Sequence, residues 1–221
     1  RVKFHFFLSV INSVIVNMTI RIPLVMLVVY DEYNFGLVGK LGLSGLAEFL
    51  VTIVVLDLFN YFWHRFNHTL SFLWKFHKAH HVDTFLDTTT ALRFHLGELF
   101  LSNIAKIIFV LIWGPSPWAF IVSEILVIGF SQFHHSNIRL SSHVELKLRK
   151  FIITPFLHLG HHSIKESSRN KNYGVIVSLW DKTFCTYQIP SQEDVEKLGV
   201  PGEETEENMF DIKEFFRYPF K

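Results

Sequence analysis

The sequence predicts an all-α integral membrane protein, with about four transmembrane helices and a cytoplasmic helical cap that carries boxes of histidines. Two observations predict the helices: apolar residues are gathered into long stretches, and histidines recur at the three- and four-residue spacing of one helix face. The uneven distribution of Lys and Arg between the connecting segments predicts which side of the membrane the histidines face.

The composition limits the class of protein. The chain has 221 residues, enough for one domain with a sizeable buried region, and 49% of them are hydrophobic. A formal net charge of +1 gives no electrostatic basis for binding nucleic acid. The single cysteine, Cys185, excludes an internal disulfide bond and a cysteine-rich metal site. The first residue is Arg1 rather than Met, which leaves a preceding signal or span open.

The sequence divides into two parts. We expect a single membrane-embedded domain over residues 1–187, followed by an acidic C-terminal tail over residues 188–221. The tail holds no apolar period and is expected to be solvated. Its last residues are aromatic, which fits a contact with the membrane surface and a plain aromatic tail equally well.

Four apolar stretches form the predicted spans, at residues 4–30, 43–63, 98–113 and 117–133. The first is long enough for one tilted span, or for a helix broken near Pro23. Between the last two, Gly-Pro-Ser-Pro forms a turn too short to cross a membrane. These two stretches are therefore predicted to form a helical hairpin.

Basic residues are concentrated on one side of the predicted spans. The connections on the other side carry only Lys40, beside Asp31 and Glu32. Because Lys and Arg accumulate in cytoplasmic loops, the histidine-bearing segments are predicted to face the cytoplasm. The basic residues are Arg65, Lys75, Lys78 and Arg93 after the second stretch, and Arg139, Lys147, Arg149, Lys150, Lys165, Arg169 and Lys171 after the fourth.

Eight of the 13 histidines fall into three boxes. Residues three and four apart lie on one face of a helix, so each box presents its imidazoles to a common point, as a metal ion requires. One H-x-x-H-H motif is a weak indication, whereas two copies with an H-x-x-x-H motif are hard to explain by chance. The boxes are His64 and His68; His77, His80 and His81; and His158, His161 and His162.

The number of imidazoles predicts two metal ions, because eight exceed what one first-row metal holds with a position left open. Imidazole binds iron, zinc, copper and nickel alike, so ligand type does not identify the metal. The setting favours iron, since the chain lacks the H-E-x-x-H motif that supplies a general base in zinc hydrolases. Glu-x-x-His pairs, which mark soluble carboxylate-bridged di-iron bundles, are also absent from the sequence.

The remaining histidines are assigned by their neighbours. In residues 132–137, one histidine is expected to complete a metal shell; His135 is favoured, with His134 as the alternative. His95 is expected to support a ligand or cap a helix rather than bind metal. His5 and His143 have no partners at metal spacing, and a surface or interface position is expected for both.

Three residues before the first box are candidates to orient its ligands or to line a cavity. A ligating imidazole normally donates its second N–H to an oxygen, which fixes its tautomer. Asp57, Asn60 and Tyr61 precede His64 on its helix face. An acid within an apolar run, as Asp57 is, is by default a functional residue.

Together, these motifs resemble the fatty acid hydroxylase and sterol desaturase superfamily of membrane proteins. The matching segments follow that family's order and extend over residues 43–187, most of the chain. One departure is Cys185, where such proteins usually continue Phe-Gly-Thr; it is expected to alter a turn rather than the metals. The segments are residues 57–68, 77–81, 93–95, 132–137, 158–162, 172–174 and 179–184.

The resemblance implies a centre of two iron ions that uses O2 and electrons from a separate donor to hydroxylate, desaturate or oxidatively demethylate a lipid. A sterol, a fatty acyl chain, a sphingolipid and an ether lipid are all compatible with the motifs. Carried over residue by residue, the implied metal ligands are His64, His68, His77, His80, His81, His135, His158, His161 and His162.

The electron donor and the alternative function follow from what the sequence lacks. It has no glycine-rich dinucleotide loop, so electrons are expected from cytochrome b5 or a ferredoxin with its reductase, docked on the basic loops. The alternative is a membrane histidine-rich metal-binding or transport protein without oxygenase activity. A transporter needs ionisable groups along its path, whereas the predicted spans are nearly uncharged apart from Arg21 and Lys106.

Overall fold

A computed structural model describes residues 1–30, 36–202 and 210–220, without the side chains of residues 15–20 and 29–30. Within these ranges the regular structure is helical, and β-type pairing is limited to two isolated bridges, which confirms the all-α class. The main helices are α1 (Val2–Tyr30), α2 (Gly36–Lys40), α3 (Gly45–Thr69), α4 (Ser71–His81), α5 (Leu96–Trp113), α6 (Pro117–His134), α7 (Ser142–Leu148) and α8 (Pro155–His161). Shorter helices follow at Glu166–Arg169, Leu179–Thr183, Gln192–Glu196 and Ile212–Arg217, with 3-10 turns at Thr90–Leu92 and Tyr218–Phe220.

Two of the described helices, α3 and α5, are long and apolar enough to cross a membrane, with mean hydropathies of 1.6 and 1.8. Both leave an apolar face uncovered. Leu46, Leu50 and Val54 repeat every four residues along α3 and are more than 50% exposed, as are Phe100 and Ile108 on α5. Continuous apolar faces of this kind favour a lipid environment over water. The described residues thus contain two candidate membrane spans.

The predicted turn joins α5 and α6, and the Lys106–Glu124 ion pair at 2.6 Å links the two helices. Gly114 ends α5 with φ 67° and ψ 51°, a left-handed conformation that glycine adopts without steric cost. Ser116 caps α6, its hydroxyl accepting from the backbone N–H of Ala119. Glu48 on α3 accepts hydrogen bonds from the backbone N–H and the hydroxyl of Ser116, at 3.0 and 2.9 Å. These bonds fix the turn against the neighbouring helix.

The end of α3 leads directly into the histidine-bearing part of the molecule. The helix continues past the predicted limit at residue 63 to Thr69, so that His64 and His68 lie on its last turns. Leu70 is extended, with φ −95° and ψ 113°, and redirects the chain into α4. Helix α3 packs on α4 and α6, and α1 packs on α5. A common apolar core joins α1, α3, α5 and α6 through Leu27, Leu56, Val110 and Phe120.

The C-terminal part is folded against the domain, so the expectation of a solvated tail is wrong for residues 188–202 and 210–220. A capping box starts the helix Gln192–Glu196. Phe215 is 3% exposed and joins a buried cluster with Leu8 of α1 and Ala79 of α4, because burial of its ring outweighs the acidic character of the surrounding sequence. The acidic residues 203–209, and Asp31 and Glu32 of the predicted first connection, lie outside the described residues.

Candidate metal centre

Nine histidines come together in two clusters, and in each cluster the potential ligand atoms lie within 4.8 Å of one another. The clusters contain the eight histidines of the three boxes together with His135. His134 belongs to neither cluster. The five-histidine cluster consists of His64, His68, His77, His81 and His161, and the four-histidine cluster consists of His80, His135, His158 and His162.

Helix geometry decides how the boxes are divided. His77 and His81 are four residues apart on α4 and join the same cluster, whereas His80 points to the other one. The third box divides in the same way: His158 shares a cluster with the residue four positions later, and His161 joins the other cluster. Two boxes therefore contribute to both clusters, which holds the clusters side by side.

Protein oxygens hold the Nδ1 atoms of five of these imidazoles. Four of the oxygens are backbone carbonyls, which only accept, so Nδ1 carries the hydrogen and Nε2 is left with a lone pair. The contacts are His64 to Tyr173 O at 2.9 Å, His161 to Lys171 O at 2.7 Å, His80 to Arg93 O at 3.3 Å, His135 to Ser131 O at 2.8 Å, and His77 to Glu98 Oε1 at 2.7 Å.

The Nε2 atoms of these anchored rings face each other at short range. They lie 3.0 Å apart between His64 and His161, and 3.1 Å apart between His80 and His135. In both pairs neither Nε2 has a hydrogen to donate, so two lone pairs point at one another. Two imidazoles on one metal ion, each bonded at about 2.0–2.1 Å, have their nitrogen atoms at about this separation. The arrangement therefore fits a metal ion in each cluster.

Burial keeps the imidazoles in the form that binds metal. His81, His161 and His162 are 0% exposed and His158 is 1% exposed. Burial lowers the pKa of each of these four imidazoles well below its ordinary value, and neighbouring histidines lower it further. Neutral imidazole is the species that ligates a metal, so the protein does not have to lose a proton from these groups at neutral pH.

Glu98 is a carboxylate that binds one of the clustered histidines, and it was not among the residues selected from the sequence as ligand supports. It lies in the first turn of α5, is 5% exposed and accepts from His77 Nδ1 at 2.7 Å. A carboxylate on the second nitrogen of an imidazole fixes the ring and makes it a more basic ligand. An acid at the start of an apolar stretch, three residues after His95, was the signal in the sequence.

Among the described residues, Asp57 contacts no histidine directly and instead binds the segment that holds His64. Its carboxylate accepts from the backbone N–H groups of Ile176 and Val177, at 3.1 and 3.3 Å, and from the indole N–H of Trp180 at 2.9 Å. These donors belong to the segment that begins with Tyr173, the residue whose carbonyl binds His64. Asp57 thus holds the segment rather than the imidazole.

The other supporting candidates from the sequence, Tyr61, Asn60 and His95, lie outside both clusters. Tyr61 shares a hydrogen bond with Thr186 at 2.8 Å, and Asn60 is buried with an Nδ2 atom that has no partner among the described residues. His95 caps α5: its Nδ1 accepts from Gly97 N at 3.0 Å, and its Nε2 donates to Phe216 O at 3.2 Å. The capping alternative for His95 is the one that the contacts fit.

The three remaining histidines differ in their surroundings. His134 is 3% exposed, and its ring centre lies 4.0 Å from that of His158. His5 is buried where α1 meets the loop after α4, with Nδ1 at 2.8 Å from Thr89 Oγ1. His143 is exposed. His143 lies at the surface, as expected, whereas the expected surface or interface position is wrong for His5, which is 0% exposed inside the fold.

Comparisons with known proteins assign the family. The profile named Fatty acid hydroxylase matches residues 49–186. Alkylglycerol monooxygenase of Danio rerio is 28% identical over 194 residues, which are 87% of this chain and 41% of that protein. Alkylglycerol monooxygenase of Homo sapiens is 30% identical over 144 residues, which are 65% of this chain and 31% of that protein. Ornithine lipid hydroxylase OlsE of Rhizobium tropici is 28% identical over 157 residues, 70% and 46%.

The matches with these relatives cover only part of each relative's length. The chain spans less than half the length of each of these relatives. No solved structure matches it. The family profile nevertheless covers most of the chain, including all three histidine boxes and His135. The resemblance seen in the motifs is thereby confirmed, and the chain belongs to the fatty acid hydroxylase family.

Proposed function

We propose that the protein is a membrane-bound, non-haem di-iron oxidoreductase that uses O2 to hydroxylate or desaturate a lipid. The observation that carries the proposal is the facing of Nε2 lone pairs in both clusters, between rings whose Nδ1 atoms are already held by protein oxygens. Such lone pairs repel each other unless a cation lies between them. Family membership, and relatives named as a lipid hydroxylase and an alkylglycerol monooxygenase, supply the class of reaction.

The nine clustered histidines are the proposed ligands of two iron ions, one ion in each cluster. Imidazole does not by itself select iron, so the choice of metal rests on the family. When bound, the two ions supply the redox chemistry by which O2 oxidises an unactivated C–H bond. The proposed ligands are His64, His68, His77, His81 and His161 for one ion, and His80, His135, His158 and His162 for the other.

The protein's own part in the reaction is to orient the imidazoles, exclude water and admit the substrate. Backbone carbonyls and Glu98 hold the rings so that Nε2 points inward. His81, His161 and His162 are fully buried, whereas His64 retains partial exposure. We infer that the lipid carbon approaches on the His64 side, where α3 emerges from its apolar region, and that its position there decides which C–H bond reacts.

The proposed topology has about four spans, with α1 and α6 added to α3 and α5. The four helices share one apolar core, which supports their insertion as a bundle. The first box lies on the last turns of α3 and the second box follows it on α4, whereas His135 and the third box follow α6. Both segments meet in the same two clusters, so both belong on one side of the membrane. The basic residues of the same segments favour the cytoplasmic side.

An external electron donor is part of the proposal. Lys75, Arg139, Lys147 and Lys150 are exposed on the segments that carry the clusters. A surface of this charge is complementary to an acidic donor such as cytochrome b5, or a ferredoxin with its reductase. We propose that the donor docks there and that the lipid is reached from the membrane side.

Metal transport, the alternative function, is not favoured. The relatives described above are named as monooxygenases or a hydroxylase. Lys106 on α5 and Glu124 on α6 are ionisable residues inside apolar helices, and they bind each other at 2.6 Å. An ion pair between two helices of a hairpin fits a structural contact there.

The proposal is tested by oxidation of lipids under isotopically labelled O2. Membranes containing the protein, a reductant and a donor system are offered alkylglycerols, ornithine lipids, fatty acyl lipids and sterols, and products are read by mass spectrometry. We expect one lipid class to gain labelled oxygen or a double bond, and His135→Ala to abolish the product. His143→Ala, at an exposed histidine outside the clusters, serves as the matched control and should retain activity. Equal product from wild type and His135→Ala, or none from metal-loaded wild type, would contradict the proposal.

A further inference from the structure

The C-terminal segment of residues 210–220 lies outside the part of the chain that the family profile matches, yet it packs beside the second histidine box. It comprises the helix Ile212–Arg217 and the turn Tyr218–Phe220, and we name it the strap. We propose that the strap is a positioning element of the metal centre, which holds His77 and His80 in the orientation that metal binding requires. This inference rests on the proposed metal-binding role of those histidines.

The strap occupies the side of α4 that faces away from the clusters. Lys78 and Ala79, the two residues between the histidines of the second box, both lie beside it. Ala79 is 0% exposed and shares a buried apolar cluster with Phe215 of the strap and Leu8 of α1. The ammonium of Lys78 lies 4.2 Å from the ring centre of Tyr218. The second box is thus enclosed between the clusters on one side and the strap on the other.

Arg93 connects the strap to His80. Its carbonyl accepts from His80 Nδ1 at 3.3 Å, and its Nε donates to Ala79 O at 2.8 Å. The side chain is 1% exposed, and its guanidinium lies 5.1 Å from the ring centre of Phe215 and 5.6 Å from that of Phe210. Burial lowers the pKa of Arg93 to about 10, so it remains charged at neutral pH. The rings of the strap replace part of the water that this cation has lost.

His95 connects the strap to His77. Its Nε2 donates to Phe216 O at 3.2 Å, while its Nδ1 accepts from Gly97 N at 3.0 Å and so begins α5. Glu98, the residue after Gly97, accepts from His77 Nδ1 at 2.7 Å. The hydrogen bond to the strap therefore fixes the turn that carries the carboxylate partner of His77.

The two connections end in different clusters, since His77 belongs to the five-histidine cluster and His80 to the four-histidine cluster. Ligands must be held within about 0.5 Å of their productive position by the residues around them. Loosening the strap is therefore expected to affect both metals, although no residue of the strap lies in either cluster.

The test compares variants at Phe215, which shares a buried cluster with Ala79 and Leu8 and lies beside the Arg93 guanidinium. Phe215→Ala removes these contacts, Phe215→Leu restores apolar volume, and Phe151→Ala is the matched control because Phe151 is 72% exposed. Three readouts are taken: iron per chain after exposure to a chelator, Mössbauer spectra of iron-57 protein, and amide hydrogen exchange of α4 in metal-free protein. Helical circular dichroism reports whether each variant is folded.

We expect Phe215→Ala to retain its helical signal but bind iron about tenfold more weakly, with broadened spectra for both ions and faster exchange in α4. Phe215→Leu should recover most of each loss, and Phe151→Ala should match wild type. Unchanged iron binding and exchange in Phe215→Ala would overturn the proposal, as would loss of iron that only accompanies loss of helix in both Phe215 variants. Wild-type protein that binds no iron would refute the proposed function instead, and exchange in α4 would still decide the role of the strap.

A second variant separates capping of α5 from contact with the strap. His95→Asn keeps a side-chain acceptor for Gly97 N but is too short to reach Phe216 O. We expect weaker binding mainly of the ion held by the His77 cluster, with α5 intact. Equal iron binding by His95→Asn and wild type would contradict this connection.

Discussion

Each imidazole has two nitrogen atoms, and the partner of one decides the chemistry of the other. In His161 the Nδ1–H donates to the carbonyl of Lys171, and in His135 the Nδ1–H donates to the carbonyl of Ser131. The other nitrogen, Nε2, then carries a lone pair and no hydrogen. Orientation of the clusters thus depends on backbone oxygens, which keep their position whatever side chain their residue carries.

Glu98 is the side chain that tests whether an oxygen partner on Nδ1 supports metal binding by a clustered imidazole. Replacing it by Ala leaves His77 Nδ1 without its acceptor, so we expect iron affinity to fall about tenfold or more. Glu98→Gln keeps an acceptor oxygen and should lose less. The measurement is iron per chain at graded chelator concentrations, with exposed Glu166→Ala as the control. Wild-type affinity in Glu98→Ala would show that this carboxylate does not support a ligand.

At this scale the sequence identified the histidines but not their partners. The nine histidines that spacing and family resemblance selected are the nine that meet in the clusters. The sequence did not predict how these histidines divide between the two clusters. Adjacent residues such as His80 and His81 point about 100° apart on a helix and join different clusters. The sequence also did not predict that the carbonyls of Tyr173 and Lys171 hold imidazoles, since every residue type has a backbone carbonyl.

At the scale of elements, the segment from Lys171 to Asp181 supports His64 and His161, because it supplies the carbonyls of Tyr173 and Lys171. Asp181 accepts from the backbone N–H groups of Tyr173 and Gly174, both at 2.8 Å. A Cβ on Gly174 would lie 2.7 Å from the carbonyl oxygen of Val177, so glycine is needed for this close turn. Together with Asp57, Asp181 fixes the backbone that presents carbonyls to the five-histidine cluster.

Loss of Asp57 should loosen this segment. In Asp57→Ala three N–H donors lose their acceptor, and we expect the free energy of unfolding to fall by about 3 kcal/mol. Asp57→Asn, which keeps one acceptor oxygen, should lose less. Unfolding in detergent with increasing denaturant measures the change. Substitution of the exposed Glu193 by Ala is the control. Asp211 is also exposed but is unsuitable, because it caps the helix Ile212–Arg217. An unchanged midpoint in Asp57→Ala would contradict the clamping role.

Elements near one another in sequence were predicted better than contacts between distant ones. The hairpin of α5 and α6 was predicted because Gly114 and the prolines after it mark the turn. The fold of residues 210–220 was not, because acidic composition suggested solvent, whereas Phe215 is buried against a helix more than 100 residues earlier in the chain. Such packing depends on tertiary structure that local composition does not report.

For the whole molecule, the polar groups at the two ends of the helices have different roles. At one end Glu48 of α3 holds the turn before α6, and at the other the histidine clusters join α3, α4, α6 and α8. Between them, apolar faces of α3 and α5 remain uncovered. This arrangement supports the proposal of a bundle that crosses the membrane with its clusters at one surface.

Cys185 offers a direct test of the proposed orientation. It is the single cysteine of the sequence and is exposed, and its carbonyl accepts from Lys171, whose own carbonyl binds His161. We expect a membrane-impermeant maleimide to label it in permeabilised cells but not in intact cells, because the clusters are proposed to face the cytoplasm. Cys185→Ser gives the background. Labelling in intact cells would place this side of the protein outside and contradict the orientation.

The central claim, two iron ions held by the histidine clusters, is tested most directly by metal analysis and Mössbauer spectroscopy of protein grown with iron-57 and purified in detergent. We predict about two iron ions per chain, magnetically coupled when oxidised, that are lost or disordered in His161→Ala and retained in His143→Ala. Zinc alone in protein handled to retain iron, or a single iron that His161→Ala leaves unchanged, would contradict the account.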